Sequence, residues 1–478
     1  MQATKQLLAL ALFSITASVA AQLPASLTTA AQMVQETDRI SASVDPSVWP
    51  GFSFSGTDLF VWDKESRTGL LFHVTPLPEG FAPMDAAHPA IGIGAVPQGA
   101  VLVSGPNPIA GRLAAWVPGG QVPWDKGTPS VAQDLYVGAF KVFEAYRGFA
   151  QPVIPQDAAY PMLDAEAAAL LRAEGRVLAK ALSSDNAQVP PLIAAFLSLR
   201  AQRLARLQNG LRDYEWTKEM ADGLAAYAGY QARYGSDPSG ARADLFKALQ
   251  ELTKDGIDAE GPRFSATGCA IALLLDQTDP QWKVEFEKGA RDSLQPILAK
   301  AAGQSAPADL AFAGLDGLRR EEQAAVDAIR AEQQAKLDGI LKADGLVLVL
   351  NLGTALAKPD IKWKNRYVPN GIMKLEGSRE IRTNYYNLTG AGVLDFASSR
   401  PILIETRKSI TAGFAADEKP YMTLNGKPLN LDPGQIVDGD FELRGNHLTL
   451  RVNDAHLTYL PKTLTVEPRV PGTAPTSP

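Results

Sequence analysis

The chain has 478 residues, of which 46% are hydrophobic and 21% are charged, as is ordinary for a soluble globular protein of two or three domains. The formal net charge is −6 and Cys269 is the single cysteine. This balance gives no overall attraction for nucleic acid, and one cysteine excludes both an internal disulfide and a zinc–thiolate cluster.

Residues 1–21 have the features of a signal peptide. One positive charge, Lys5, precedes an apolar run that starts at Leu7 and ends in small residues. Cleavage after Ala20 or Ala21 satisfies the preference for small residues at such sites, and the run is short for a membrane span. We therefore expect an exported protein, periplasmic or secreted, with no membrane span once the signal is removed.

Residues 22–125 predict a β-rich N-terminal module that begins with a short lead-in helix over residues 23–45. The stretch DLFVWDKESRTGLLFHV indicates two strands around a turn, because apolar residues flank a polar segment. The stretch AVLVSG indicates another short strand. Turn residues are frequent throughout this part of the chain, as is typical of connected strands.

Residues 126–344 have a helical period. Leu192, Phe196 and Leu199 recur at helical spacing ahead of Gly210, and a long amphipathic pattern runs from Leu315 to the Ala-Asp-Gly at 343–345. Within this part, the apolar run TGCAIALLLD contains the cysteine, which we expect to be a small buried side chain.

Residues 345–467 change to short alternating runs separated by turn residues, which predicts a C-terminal β domain. Asn425-Gly426 is a hairpin signal within it. The Pro-rich residues 468–478 predict a disordered tail. The order of strands, helices and strands predicts an α+β fold.

The residues that commonly carry chemistry are sparse. The four histidines are confined to the two β parts, and none lies in the helical part; they are His73, His88, His447 and His456. No Gly-x-Ser-x-Gly motif is present. The stretch GIGAVPQG lacks both the glycine spacing and the strand–helix context of a phosphate-binding loop.

One stretch, KVFEAYRGFA at 141–150, has the frame of a zinc peptidase helix without its ligands. In such a helix two histidines four residues apart bind zinc, and a glutamate beside the first takes a proton from the metal-bound water. Phe143 and Arg147 stand where the histidines would be, and Glu144 stands where the base would be. A phenyl ring has no lone pair, and a guanidinium has no acceptor.

The surrounding stretches, taken in order, resemble a family of exported bacterial zincin-like proteins of the HExxH, gluzincin type. The similar segments are VWPGFSFSGTDLFVWD, VFEAYRGFA, AYPMLDAEAAALLRAEGRVLAKAL, KEMADGLAAYAGY and GCAIALLLDQTDPQW, between about Trp49 and about Ala302. The resemblance implies a central helical zincin-like domain flanked by the two β parts. It also implies that Asp222 stands where the third zinc ligand, a Glu, would be. The implied vestigial site is Phe143, Glu144, Arg147 and Asp222, with no metal and no cofactor.

We expect from this resemblance an inactive metallopeptidase homologue that binds a peptide or an envelope protein. One alternative is a hydrolase that uses Glu144 and Asp222, with Glu174 and Glu219, across an open cleft with no arginine between the carboxylates. The other alternative is a purely structural envelope protein with a closed, apolar core. The ligand and the oligomeric state stay open.

Two expectations concern geometry. Glu144 and Asp222 are expected on different helices of the helical part. Arg147 is expected in the former metal position, where its fork would bind Asp222 and Glu144, because an arginine can neutralise two carboxylates that a lost metal leaves behind.

Overall fold

The computed structural model describes residues 23–97, 104–155, 160–161, 163–208, 210–235, 237–250, 252, 262–289, 291–368, 371–375 and 378–470. The chain divides into two compact units, residues 1–323 and 324–478. Helices make up 43% and strands 24% of the chain, with the helices in the middle, which confirms the predicted α+β fold. The predicted signal peptide and residues 471–478 of the predicted tail lie outside the described residues.

The first unit begins with helix α1, Ala25–Val48, where the lead-in helix is predicted. A six-stranded sheet follows in the order β3-β4-β2-β1-β6-β5, in which only β1 and β6 are parallel. Its strands are β1 Leu59–Trp62, β2 Thr68–Phe72, β3 Phe81–Pro83, β4 Gly92–Ala95, β5 Gly105–Ile109 and β6 Arg112–Pro118. The predicted strand pair is β1 and β2, whereas the predicted strand AVLVSG lies mostly outside the described residues.

Helices then dominate as far as the end of the first unit. They are α2 Thr128–Arg147, α3 Ala165–Leu182, α4 Val189–Leu204, α5 Leu211–Tyr234, α6 Pro238–Gln250, α7 Arg263–Thr278, α8 Trp282–Lys288 and α9 Gln295–Ala302, and α10 Leu315–Leu341 continues into the second unit. Within the described residues, every helix is too short or too polar to cross a membrane.

Helix α2 has clear sequence reasons for its bounds. Gly127 and Pro129 open it, and Gly148 closes it in a left-handed conformation with φ of 67°. The amide of Gly148 donates to Ala145 O at 3.2 Å and that of Phe149 to Glu144 O at 3.0 Å, so the last carbonyls of the helix are satisfied. KVFEAYR, the stretch singled out in the sequence, therefore forms the last two turns of α2.

Close helix contacts around α5 depend on glycines. A Cβ on Gly229 would lie 2.7 Å from Gln133 O on α2, and a Cβ on Gly223 would lie 2.4 Å from the Cα of Gly268 on α7. Helices α2 and α7 can thus approach α5 at contact distances that larger residues would prevent. One hydrophobic core runs from α1 and the sheet into these helices, and the predicted boundary at residue 125 stays a prediction.

The second unit begins with the rest of α10 and has its own hydrophobic core within a 13-stranded sheet. Its strands are β7 Val347–Asn351, β8 Trp363–Tyr367, β9 Ile372–Lys374, β10 Arg379–Arg382, β11 Tyr386–Gly390, β12 Leu394–Ser398, β13 Ile402–Glu405, β14 Ser409–Gly413, β15 Tyr421–Leu424, β16 Lys427–Pro428, β17 Ile436–Gly445, β18 Leu448–Leu460 and β19 Thr463–Pro468. A single helical turn, α11, spans Gly353–Leu356. The predicted hairpin at Asn425-Gly426 joins β15 and β16.

Candidate functional site

Two of the predicted site residues, Glu144 and Asp222, lie where α2 packs against α5. The two helices run side by side, with Lys141 bound to Asp222 at 3.0 Å and Arg233 donating to Gln133 at 3.0 Å. Glu144 lies on α2 and Asp222 lies on α5, so the expectation that they occupy different helices is confirmed.

Glu144 is enclosed at this contact. Glu144 is 1% exposed, and its Oε1 atom has no hydrogen-bond partner in the described part of the chain. Burial raises the pKa of Glu144 well above its usual value, and the nearby charge of Asp222 adds to that rise while Lys141 opposes it. The enclosure of Glu144 therefore favours the neutral acid over the carboxylate.

Asp222 has the opposite electrostatic surroundings. Its two oxygens bind Lys141 at 3.0 Å and Lys218 at 2.7 Å. Burial alone would raise the pKa of Asp222, but the two ammonium groups outweigh it and hold the pKa below its usual value. Asp222 is thus an ionised carboxylate that two cations already neutralise.

The predicted role of Arg147 is wrong. Its Nη2 donates to Pro50 O at 3.1 Å, its Nε lies 3.8 Å from Glu287, and its side chain is 42% exposed. It binds neither Glu144 nor Asp222. The physical reason is helix geometry: Arg147 is the last residue of α2 and faces the loop at Gly51, whereas Lys141, one turn before Glu144, faces α5.

Phe143 lies on a different side of α2 from Asp222. It lines a cavity of about 380 Å³, which we name the aromatic cleft, together with Ser53, Thr57, Asp58, Arg112 and Tyr146. Asp222 and Lys141 line a separate cavity of about 280 Å³. The structure therefore brings Glu144 and Asp222 together, but Phe143 and Arg147 do not join them in one cluster.

The other two carboxylates of the predicted hydrolase belong to a buried ionic network. Arg200 binds Glu219 at 2.6 Å through Nη1 and Glu174 at 3.1 Å through Nε, and Arg203 binds Glu174 at 2.6 Å and Glu215 at 2.8 Å. The charged residues of the network that the structure describes are each at most 4% exposed; they are Glu174, Arg200, Arg203, Glu215, Glu219 and Arg263.

Among the residues that the structure describes, three arginines balance three glutamates in this network. Arg263 binds Glu215 at 2.7 Å, and the hydroxyl of Tyr160 donates to the same carboxylate at 2.9 Å. Burial would raise the pKa of Glu215, but Arg203 and Arg263 lower it to about 2. An arginine stands between Glu174 and Glu219, which is the arrangement that a pair of catalytic carboxylates would not have.

Sequence reasoning missed the arginines of this network and the lysines beside Asp222. A signal for Lys218 was present, because it precedes Asp222 by four residues on a predicted helix and such pairs meet. Arg200 directly follows Leu199 in the apolar helical pattern, which placed a cation beside the buried stripe of α4. The separation of Arg203 from Glu174 and Glu215 along the chain gave no comparable signal.

In the part of the chain that the structure describes, no three His, Cys, Asp or Glu side chains lie together in a way that could hold a metal ion. Comparison with known proteins found no matching family model, no matching curated protein and no matching solved structure. The similarity to zincin-like proteins therefore stays a prediction from the sequence.

Proposed function

We propose that this is an exported, zincin-like protein without metallopeptidase chemistry, which acts by binding a peptide segment of an envelope partner. The observation that carries the proposal is the state of Asp222, the residue in the position of the third ligand. Two lysines occupy its oxygens, and an ammonium group repels the cation that a metal site would need.

The carboxylates also weigh against the alternative of a hydrolase. Catalysis with two carboxyl groups needs one that gives a proton and one that attacks or activates water, both open to the substrate. Here Glu144 is enclosed, Asp222 is bound by two lysines, and Glu174 and Glu219 share Arg200. None of the four can reach a substrate without first losing its partner or its cover.

The aromatic cleft favours binding over a purely structural role, for which a closed core is expected. Its wall contains Phe143 and Tyr146, and Tyr146 is 63% exposed. The ring of Phe143 packs edge-to-face against that of Phe52, with 5.6 Å between the ring centroids. Asp58 and Arg112 form a two-bond ion pair at 2.7 and 2.9 Å in the same cleft. Aromatic walls with a few fixed polar groups are typical of sites that accept an apolar side chain and orient the backbone beside it.

The binding role can be examined by selecting displayed peptides on the purified mature protein and measuring their affinity by calorimetry. We expect selected peptides to share an aromatic or aliphatic residue and to lose at least about ten-fold in affinity for Phe143→Glu, because a charge would enter the apolar wall. Phe246→Glu is the matched control, since Phe246 is an exposed aromatic residue, 45% accessible, that does not line the cleft.

Equal losses in the two variants would place the binding elsewhere and remove the support that the cleft gives. A separate measurement addresses the chemistry: elemental analysis of the purified protein together with a peptidase screen. Stoichiometric zinc accompanied by peptide hydrolysis would overturn the proposal, whatever the cleft binds.

A further inference from the structure

Strand β8, in the sheet of the second unit, presents exposed cations. Among the described strands, β8 pairs with β11 alone, and its residues from Lys364 to Tyr367 are all exposed. Lys364 and Arg366 alternate to one face of the strand, as the pleat requires. Neither of these two side chains has an ion-pair partner among the described residues, whereas Arg382 on nearby β10 is bound to Glu380.

The strand registers show which residues share that face. Lys364 lies opposite Thr389 on β11, and Arg366 lies opposite Asn387. The same rows continue across β12, β18 and β17, and they place Asp395, Arg451 and Glu442 in line with Lys364, and Ala397, Thr449 and Arg444 in line with Arg366. The residues between them along β11 and β12, such as Leu388 and Phe396, are buried on the opposite face. We name this solvent-facing surface the basic face.

The charge of the basic face differs in sign from that of the whole chain. Its cations are Lys364, Arg366, Arg444 and Arg451, and its carboxylates are Asp395 and Glu442. Glu442 is already shared by Arg444 at 2.7 Å and Arg451 at 3.5 Å, so the free positive charge is concentrated along β8. Residues 358–382 carry seven Lys and Arg against three Asp and Glu, although the full chain has a net charge of −6.

Apolar and aromatic side chains extend the same edge. The amide of Val368 donates to Tyr385 O at 3.1 Å, so the two residues continue the pairing of β8 and β11. Val368 is 42% exposed and Tyr385 is 46% exposed. Strand alternation directs both to the side that carries Lys364 and Arg366. Exposed cations beside an aliphatic and a tyrosine side chain are the composition that the boundary between lipid headgroups and acyl chains accommodates.

We propose that the basic face binds the surface of an anionic phospholipid bilayer, with Lys364 and Arg366 against the headgroups and Val368 and Tyr385 at the acyl boundary. The exposed cations of β8, which have no ion-pair partner among the described residues, can bind a surface of opposite charge. The site lies entirely in the second unit and does not depend on the aromatic cleft. A failure of the membrane-binding proposal would therefore leave the proposed peptide-binding function unaffected, and the reverse also holds.

The full chain can be tested by cosedimentation with vesicles of phosphatidylcholine alone and of phosphatidylcholine with phosphatidylglycerol. We expect binding to the anionic vesicles only, weakened by added salt because exposed charges are screened. Each cation near such a surface strengthens binding about five-fold, so Lys364→Gln with Arg366→Gln should weaken binding to the anionic vesicles about 25-fold. Val368→Ser with Tyr385→Ser should weaken it without changing the salt dependence.

The matched control is Arg407→Gln with Lys427→Gln, which removes the same charge from two exposed cations outside the basic face. This control should retain most of the binding, with a loss of less than about five-fold. Equal losses in the two double variants would show attraction by net charge alone and would overturn the proposal. Binding to a DNA duplex or to heparin without binding to anionic vesicles would overturn it as well.

Discussion

Replacing Arg203 by methionine probes the buried ionic network, whose residues lie on helices α3, α4, α5 and α7. Arg203 is 1% exposed and makes three bonds, to Glu174 Oε1 at 2.6 Å, to Glu174 Oε2 at 3.3 Å and to Glu215 Oε2 at 2.8 Å. Methionine fills much of the same volume but leaves both carboxylates short of one partner. Loss of one member of a buried ion pair typically costs about 3–5 kcal/mol.

The remaining contacts set the magnitude. Glu174 keeps Arg200 at 3.1 Å, and Glu215 keeps Arg263 at 2.7 Å and Tyr160 at 2.9 Å. Neither carboxylate is fully stranded, so we expect a loss near the lower end, about 3 kcal/mol in the free energy of unfolding. Arg203→Lys should lose an intermediate amount, because an ammonium group keeps the charge but not the planar fork.

The matched control is Arg206→Met, one turn further along the chain. Arg206 binds Asp164 through two bonds of 2.7 and 2.9 Å, but its side chain is 43% exposed. Exposed pairs of this kind contribute about 1 kcal/mol or less. Urea unfolding followed by far-ultraviolet circular dichroism reports mainly on the helices. If the Arg203 and Arg206 variants lose the same free energy to within about 0.5 kcal/mol, the reasoning about the buried network is refuted.

Three further outcomes are expected. Glu144→Gln should become more stable relative to the wild type as pH rises from 5 to 8. The pKa of Glu144 is higher in the folded state than the unfolded value of 4.5, so the folded wild-type protein loses stability as pH rises above that value. Thermal unfolding of both proteins at pH 5 and pH 8 measures this difference. A gain that is independent of pH would contradict it. Arg147→Met should change the free energy of unfolding by about 1 kcal/mol or less, since the side chain is 42% exposed; a loss near that of the Arg203 variant would restore a buried role. Chelators should leave the melting temperature of the purified protein unchanged, and a large drop would reveal a metal site, because a bound metal stabilises the folded state.

Local patterns in the sequence were sufficient for much of the architecture. Helical spacing and the glycine after Arg147 determine α2, because its last carbonyls need a residue with positive φ. The switch from a helical to an alternating pattern after residue 344 precedes β7, and Asn425-Gly426 specifies the hairpin between β15 and β16. These features depend on neighbours along the chain, and for that reason the sequence alone determined them.

The partners of the charged residues were decided only by the tertiary structure. Glu144 has Lys141 three residues before it and Arg147 three residues after it, and the sequence treats the two cations alike. The packing of α2 against α5 turns Lys141 toward Asp222 and leaves Arg147 at the loop of Pro50. Helix period fixes the angle between side chains on one helix, but which of those directions faces a carboxylate depends on where a distant helix packs.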